Sequence, residues 1–419
     1  MIEIKPGPIK DRSVSVPGSK SYTHRTLIAA ALADGSCELD NCLDSEDTRF
    51  TRQALSQMGV KLADQNGKTL VYGRGGELAR PEEPIYLGNS GTSMRLLAGL
   101  AALGKGTYTL TGNERMCRRP LADLLAALNQ LGCEARSTGN TGCPPVLING
   151  SKSRGGRVDL KCDLSSQFLS ALLLMAPYLD QGLDIKVTAG PVSKPYIDMT
   201  VDIMNNFGVA VTREGYRRFV VAGGQLYRPG SYRVEPDASQ AGYFWAAAAI
   251  TGATVKVLGI DSRSRQGDAR FVEVLEAMGC RVSSEADGIA VTGGPLVSVE
   301  VDMSDMPDMV PTLAVVAAYA RGATIIRNVA HLKDKESDRL AVTASSLSSM
   351  GITAVGDNTG LTIIGGRPAG ADIDPHDDHR IAMSFAVAGL VTPGVRIAEE
   401  QCVAKSFPGF WEVFESLYE

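Results

Sequence analysis

Several short stretches of the 419-residue chain place cations, carboxylates or hydroxyls where an apolar helical run begins. PGSKSYTHR sets Lys20, Ser21 and Arg25 at such a start, where the helix macrodipole is already positive and further cations are unfavourable unless a ligand supplies negative charge. GNSGTSMR would turn the N–H groups of Gly91 and Thr92 toward a phosphate as a loop enters a helix; no GK[ST] follows, so it is not a Walker motif. Arg119 in RRP, Ser165, Ser166 and Gln167 in SSQFLSALL, and Ser193 and Tyr196 in SKPYID repeat the theme. Each alone also reads as a cap or a solvated side chain. The second half supplies carboxylates. Asp308 opens an apolar helix in MPDMVPTL, while KDKESDR packs Lys335, Glu336 and Arg339 together, Lys335 and Arg339 at a spacing that shares one helix face. Glu336 beside those cations could stay ionised or act as an acid. In HDDHR, Arg380 reads as a carboxylate clamp; with four histidines in the chain and neither H-E-x-x-H nor clustered cysteine, a metal site is not expected there. Lys405 in AKSFPGFW completes the basic set.

The elements that carry these residues repeat. Polar starts at Ser19, Ser90, Ser165, Asp237, Met306 and His376 are spaced by 71, 75, 72, 69 and 70 residues, and each opens an Ala/Leu-rich run followed by a short β-branched strand. A second helix follows in each copy, closed by Gly59, Gly132, Gly208, Gly279 or Gly351 as a C′ stop and then by strands such as VKLA, CEAR, VAVT, CRVS and ITAV. The sixth copy ends at its second helix, so its missing strands are expected from IEIKPGP and SVSVPG at the N-terminus. First helices that are apolar all round belong at the centre of a domain, with sheets outside. This predicts two α/β domains of three repeats, residues 18–234 and residues 1–17 with 235–419, and helix N-termini collected around one anion-binding cleft.

Composition limits the partners. Forty-two basic against 47 acidic residues, a net charge of −5, give no bulk attraction for nucleic acid or an anionic membrane. Eight cysteines without a C-x-x-C pair suit free thiols in a reducing compartment. No signal peptide or membrane-length apolar run is evident, so a cytoplasmic location is expected.

From about Pro17 onward the chain resembles the 5-enolpyruvylshikimate-3-phosphate (EPSP) synthase family, carried by PGSKSYTHR, GNSGTSMR, RRP, SSQFLSALL, SKPYID, DASQAGYF, MPD, KESDR, HDDHRIAM and AKSFPGFW in that order. The resemblance implies a two-domain inverse α/β barrel, each domain three βαβαββ-type repeats with parallel buried helices. It implies a transferase of aromatic amino-acid biosynthesis that moves the enolpyruvyl group of phosphoenolpyruvate to the 5-hydroxyl of shikimate 3-phosphate, with no metal or organic cofactor and with the chain acting as a monomer. Carried over residue by residue, Ser21 and Arg25 would contact shikimate, and Ser165, Ser166 and Ser193 its phosphate, beside Gln167 and Tyr196. Lys20, Gly91 with Thr92, Arg119 and Lys405 would hold the phosphate of phosphoenolpyruvate, and Arg339 and Arg380 its carboxylate. Asp308 would be the base and Glu336 the acid at the methylene carbon, with Lys20 stabilising departing phosphate. Lys335 joins the binding set. His331 stands where some members have asparagine, which leaves that shikimate contact open. Gly91 leaves space for small anions, so glyphosate is expected to inhibit.

Two rivals are weaker. The sister transferases acting on UDP-N-acetylglucosamine use a reactive cysteine near the position of Cys117, but Cys117 lies closer to Arg119 than in that family. A non-catalytic anion-binding scaffold would be expected to have lost at least one of Lys20, Asp308 and Glu336. Crossings near residues 15–20 and 233–237 invite a hinge that is open without ligand and closed with it.

Overall fold

Lys20–Leu32 (α1) starts as a helix because the side chain of Ser19 accepts the N–H of Tyr22. From Leu27 through Ala33 its side chains are fully buried, which leaves it no solvent face. The same composition recurs in Gly91–Ala101 (α3), Gln167–Met175 (α5), Ala238–Thr251 (α7), Val310–Ala318 (α9) and His379–Gly389 (α11). Ser90 and Asp237 cap α3 and α7 by accepting backbone N–H groups. The intervening helices, Glu46–Gln57 (α2), Ala122–Gln130 (α4), Pro195–Asn206 (α6), Phe271–Ala277 (α8), Arg339–Ser349 (α10) and Phe410–Glu415 (α12), each keep an exposed side. The glycines at 59, 132, 208, 279 and 351 all have positive φ, from 77° to 108°, as C′ residues require.

The chain is described here from a computed structural model covering residues 1–151, 153–357 and 359–419. These form two units, Gly18–Glu235 and a discontinuous one of Met1–Pro17 with Pro236–Glu419. In the first, α1, α3 and α5 pack on one another; in the second, α7, α9 and α11 do. Each set forms one apolar core, in which Phe168 and Phe207, or Trp245 and Phe385, are fully enclosed. At about 1.5–3 kcal/mol per large apolar side chain, against about 0–1 kcal/mol for an exposed ion pair, burial of these helices is the main stabilisation within each unit.

Five four-stranded sheets share one order. In the second repeat Ile85–Tyr86 lies parallel to Thr107–Thr111 across α3, followed by the antiparallel strands Val146–Asn149 and Glu134–Ser137. Repeats three and five follow suit. In repeats one and four the leading strand comes from elsewhere in the sequence: Gly230–Arg233 pairs with Ser36–Asp40, and Arg12–Val14 with Thr254–Leu258. The sixth sheet has three strands, Asp372–Ile373, Arg396–Ile397 and Ile2–Glu3. Thus Ile2–Glu3 completes the sixth repeat as expected, but Arg12–Val14 does not. Bonds from Gly7 N to Leu390 O (3.1 Å) and Lys10 N to Leu417 O (3.0 Å) carry the segment between them away from that sheet. VAVT is also largely outside a strand, which begins at Thr212. Helices inside and sheets outside make each unit an inverse α/β barrel. Among the described residues, no helix is long and apolar enough to cross a membrane.

Candidate active site

In Gly18–Glu235 the N-terminal turns of α1, α3 and α5 hold the cations on mostly neutral partners. Lys20, 8% exposed, donates to Asp47 Oδ2 on α2 (3.2 Å). Arg25, 1% exposed, donates through Nε to Thr200 Oγ1 (2.8 Å), through Nη1 to Ser21 O (2.9 Å) and through Nη2 to Ser170 Oγ (3.2 Å). Its guanidinium carbon stands 6.0 Å from the Tyr196 ring centroid. Burial lowers its pKa to about 10, so it remains charged at neutral pH. Gln167 ties α5 to α3: its amide donates to Thr92 Oγ1 (2.9 Å) and its oxygen accepts from Arg95 Nη1 (2.9 Å). Arg119 donates to Asn89 O (2.9 Å) and Asn89 Oδ1 (3.2 Å), which stretches it beside Gly91. A Cβ added at Gly91 would lie 2.5 Å from Arg119 Nη2 and 2.7 Å from Arg95 Nη1.

Ser165 Oγ accepts the N–H of Gln167 (3.2 Å), and Ser166, buried, is the residue before α5. Ser193, also buried, has φ 53°, a left-handed conformation that costs about 1–3 kcal/mol in a residue other than glycine. Such strain at a hydroxyl ahead of α6 is characteristic of functional loops. Beneath this surface His24 Nδ1, Thr51 Oγ1, Ser93 Oγ and Ser90 Oγ form a chain with steps of 2.7, 2.8 and 2.7 Å. Burial lowers the His24 pKa to about 3, so the imidazole is neutral.

In the other unit the cations meet carboxylates. Arg339, at the start of α10, donates to Asp378 Oδ2 (2.8 Å), Glu336 Oε2 (2.7 Å) and Asp308 Oδ1 (2.8 Å). Arg380 Nη2 lies 2.7 Å from Asp308 Oδ2, and its Nη1 donates to the Tyr243 hydroxyl (3.4 Å). Burial alone would disfavour a charged Arg339; Asp378, Glu336 and Asp308 outweigh it and hold its pKa above the ordinary value. Asp268 is buried near Asp308, and that burial, reinforced by Asp308, raises its pKa to about 7. His331 is pushed down to about 3 by burial and by Lys335, and is neutral. Lys405 is buried at the end of a 3₁₀ turn, Glu400–Lys405.

One sequence expectation fails here. Lys335 and Arg339 do not share a helix face, because Lys335 is extended (φ −87°, ψ −159°) and α10 begins at Arg339 behind the Asp338 cap. Asp338 caps α10 by accepting the N–H of Ala341 (3.1 Å), and Glu336, ahead of that cap, accepts from Arg339 Nη2. Asp47, Arg95, Asp268 and Asp378 were not singled out from sequence, although Asp378 lies inside HDDHR.

The family model described as EPSP synthase (3-phosphoshikimate 1-carboxyvinyltransferase) matches residues 5–414. The chain belongs to the EPSP synthase family. A 3-phosphoshikimate 1-carboxyvinyltransferase of Methanoculleus marisnigri is 46% identical over 408 residues, covering 97% of this chain and 96% of the relative. One from Syntrophobacter fumaroxidans is 46% identical over 407 residues, covering 96% of each. The structure of EPSP synthase from Acinetobacter baumannii superposes with a TM-score of 0.83 at 32% identity, covering 99% of this chain and 98% of that one. The enolpyruvyl transferase NikO from Streptomyces tendae, at 22% identity and TM-score 0.79, shares the fold, with 99% of this chain and 96% of that one covered. EPSP synthase relatives along the whole length make this chain a transferase and leave the UDP-N-acetylglucosamine reading the weaker one. Cys117, half-buried with Sγ 3.6 Å from Gly112 O, adds nothing to that alternative.

Proposed function

We infer that this chain transfers the enolpyruvyl group of phosphoenolpyruvate to the 5-hydroxyl of shikimate 3-phosphate and releases phosphate. The observation that carries the chemistry is the contact of Arg339 with both Asp308 and Glu336, which sets two carboxylates on one cation in a chain of this family. Asp308 takes the proton of the attacking hydroxyl as its oxygen bonds to C2 of phosphoenolpyruvate, while Glu336 protonates C3. Loss of that C3 proton then expels phosphate from the tetrahedral intermediate. Each positioned proton transfer contributes about 10²–10⁴-fold.

Lys20, Gly91 N–H, Thr92, Arg119 and Lys405 hold the phosphate of phosphoenolpyruvate, and Lys20 stabilises the charge as it leaves. Arg339 and Arg380 hold the carboxylate, for which guanidinium geometry is suited. Ser165, Ser166 and Ser193 hold the phosphate of shikimate 3-phosphate. Ser21, Arg25, Gln167 and Tyr196 line its ring, joined by Lys335 and by neutral His331, which can give one hydrogen bond and accept another. For residues from both units to act on one pair of substrates, residues 18–234 and the rest close on them. Scattering profiles unchanged by shikimate 3-phosphate would count against closure. Eight cysteines without a disulfide support a cytoplasmic setting, and we take the working unit to be a monomer.

The deciding experiment is phosphate release dependent on both substrates, with wild type, Asp308→Ala and Glu336→Ala. Turnover lost in both variants while shikimate 3-phosphate still binds supports the roles. Release by wild type without the shikimate acceptor would contradict the reading.

A further inference from the structure

Asp308 and Asp378 both contact Arg339, but on different terms. Asp378 is fully buried and does several tasks at once. Its Oδ2 accepts from Arg339 Nε (2.8 Å) and from the Ser337 hydroxyl (3.0 Å). Its Oδ1 accepts from Arg339 Nη2 (3.3 Å) and caps α11 by accepting the N–H of Arg380 (3.0 Å). Displacing it would strand a guanidinium face, a hydroxyl and a helix N-terminus together. Asp308 sits on a one-turn 3₁₀ segment, Pro307–Met309, and keeps 16% of its side chain exposed. One of its oxygens meets Arg339 and the other Arg380, at 2.8 and 2.7 Å. A carboxylate spanning two guanidinium groups with one oxygen on each is the arrangement those groups would offer a carboxylate ligand.

We propose that Arg339 and Arg380 form a carboxylate seat whose fixed frame is Asp378 and whose resting occupant is Asp308, displaced when the carboxylate of phosphoenolpyruvate arrives. The proposal rests on the assignment of these arginines above. Asp378 is then a positioning residue: it sets Arg339 through two nitrogens and Arg380 through the helix start that carries it, with Tyr243 bracing the far side of Arg380. Asp308 does two jobs in sequence. At rest its charge satisfies the two arginines. Once displaced it has lost two neighbouring cations, and a carboxylate without them is a stronger proton acceptor. Substrate binding itself therefore switches on the base.

Dissociation constants measured on the full-length chain without acceptor, so that nothing turns over, test this with two ligands. Phosphoenolpyruvate carries the carboxylate; vinyl phosphate has the same phosphate and double bond without it. Asp308→Ala is expected to bind phosphoenolpyruvate about tenfold tighter or better, Asp308→Asn to tighten it by less, and Asp378→Asn to weaken it about tenfold. Vinyl phosphate is expected to change by less than about twofold in all three, since its phosphate does not use the seat. Equal tightening of both ligands in Asp308→Ala would show an effect of net charge alone and overturn the proposal. So would unchanged, weaker or unmeasurable phosphoenolpyruvate binding in that variant, or no loss in Asp378→Asn. Thermal unfolding of each variant identifies a folding defect, and Asp308→Asn, nearly isosteric, carries the test if the alanine variant unfolds. Acceptor-dependent phosphate release by wild type judges the enzymatic assignment separately.

Discussion

The two units share a fold, but the contacts described for their buried arginines differ in kind, although Lys20 in the first unit also meets a carboxylate, Asp47. In Gly18–Glu235, Arg25, Arg95 and Arg119 donate to hydroxyls, carbonyls and amides. In the unit holding Pro236–Glu419, Arg339 and Arg380 donate to Asp308, Glu336 and Asp378. Neutral dipoles leave a guanidinium its full charge, so the first arrangement is suited to gripping phosphate dianions. Pairing with carboxylates spends that charge and gains groups able to exchange protons. On the roles proposed above, the proton-transferring carboxylates fall in the second unit, while binding groups come from both.

The contrast breaks most visibly at the acidic network. Asp308→Asn or Glu336→Gln should lower kcat by about 10²–10⁴-fold in steady-state phosphate release, with the dissociation constant for shikimate 3-phosphate nearly unchanged. Making the holding side resemble the acidic side comes next. Asn89→Asp would give Arg119 an anionic partner in place of the amide at 3.2 Å, and should raise KM for phosphoenolpyruvate about 10–100-fold, with kcat altered far less. Gly91→Ala tests the same seat sterically, because the new methyl must push Arg119 and Arg95 aside; KM for phosphoenolpyruvate should rise about tenfold. Glyphosate should inhibit wild type at millimolar concentration or below and Gly91→Ala less, as read from inhibition constants.

Stability against pH is a separate readout, in unfolding free energy rather than in rate or affinity. His24 is held neutral, its pKa lowered from 6.5 to about 3, so its contribution is complete above 6.5 and declines as pH falls toward 3. Asp268, raised from 3.8 to about 7, behaves oppositely: its contribution is complete below 3.8 and declines as pH rises toward 7. Each slope is at most about 1.4 kcal/mol per pH unit. Denaturant unfolding between pH 4 and 8 should show His24→Asn removing the acid-side loss and Asp268→Asn the neutral-side one.

The sequence showed local signals well and tertiary partners poorly. Ser19, Ser90 and Asp237 cap the helices whose starts they marked, because N-capping depends on residues two or three apart. Where the start was misjudged the backbone explains it: His376 and Asp377 are left-handed, at φ 52° and 57°, so α11 waits for the Asp378 cap. The cations of the site were legible as charges placed against the helix dipole. Their partners were not. Asp47 reads as an ordinary first-turn acid of an amphipathic helix, and its role with Lys20 depends on the packing of α1 on α2. Asp268 and Asp308 are 40 positions apart, and only folding puts one close enough to raise the pKa of the other.

The strand Arg12–Val14, which pairs with Thr254–Leu258, bears on how the molecule is made. A ribosome delivers this strand ahead of all of Gly18–Glu235, and its neighbour emerges only after that unit, about 240 residues later. The uninterrupted unit can mature while Arg12–Val14 waits unpaired, so a strand made before that unit finds its partner only after it.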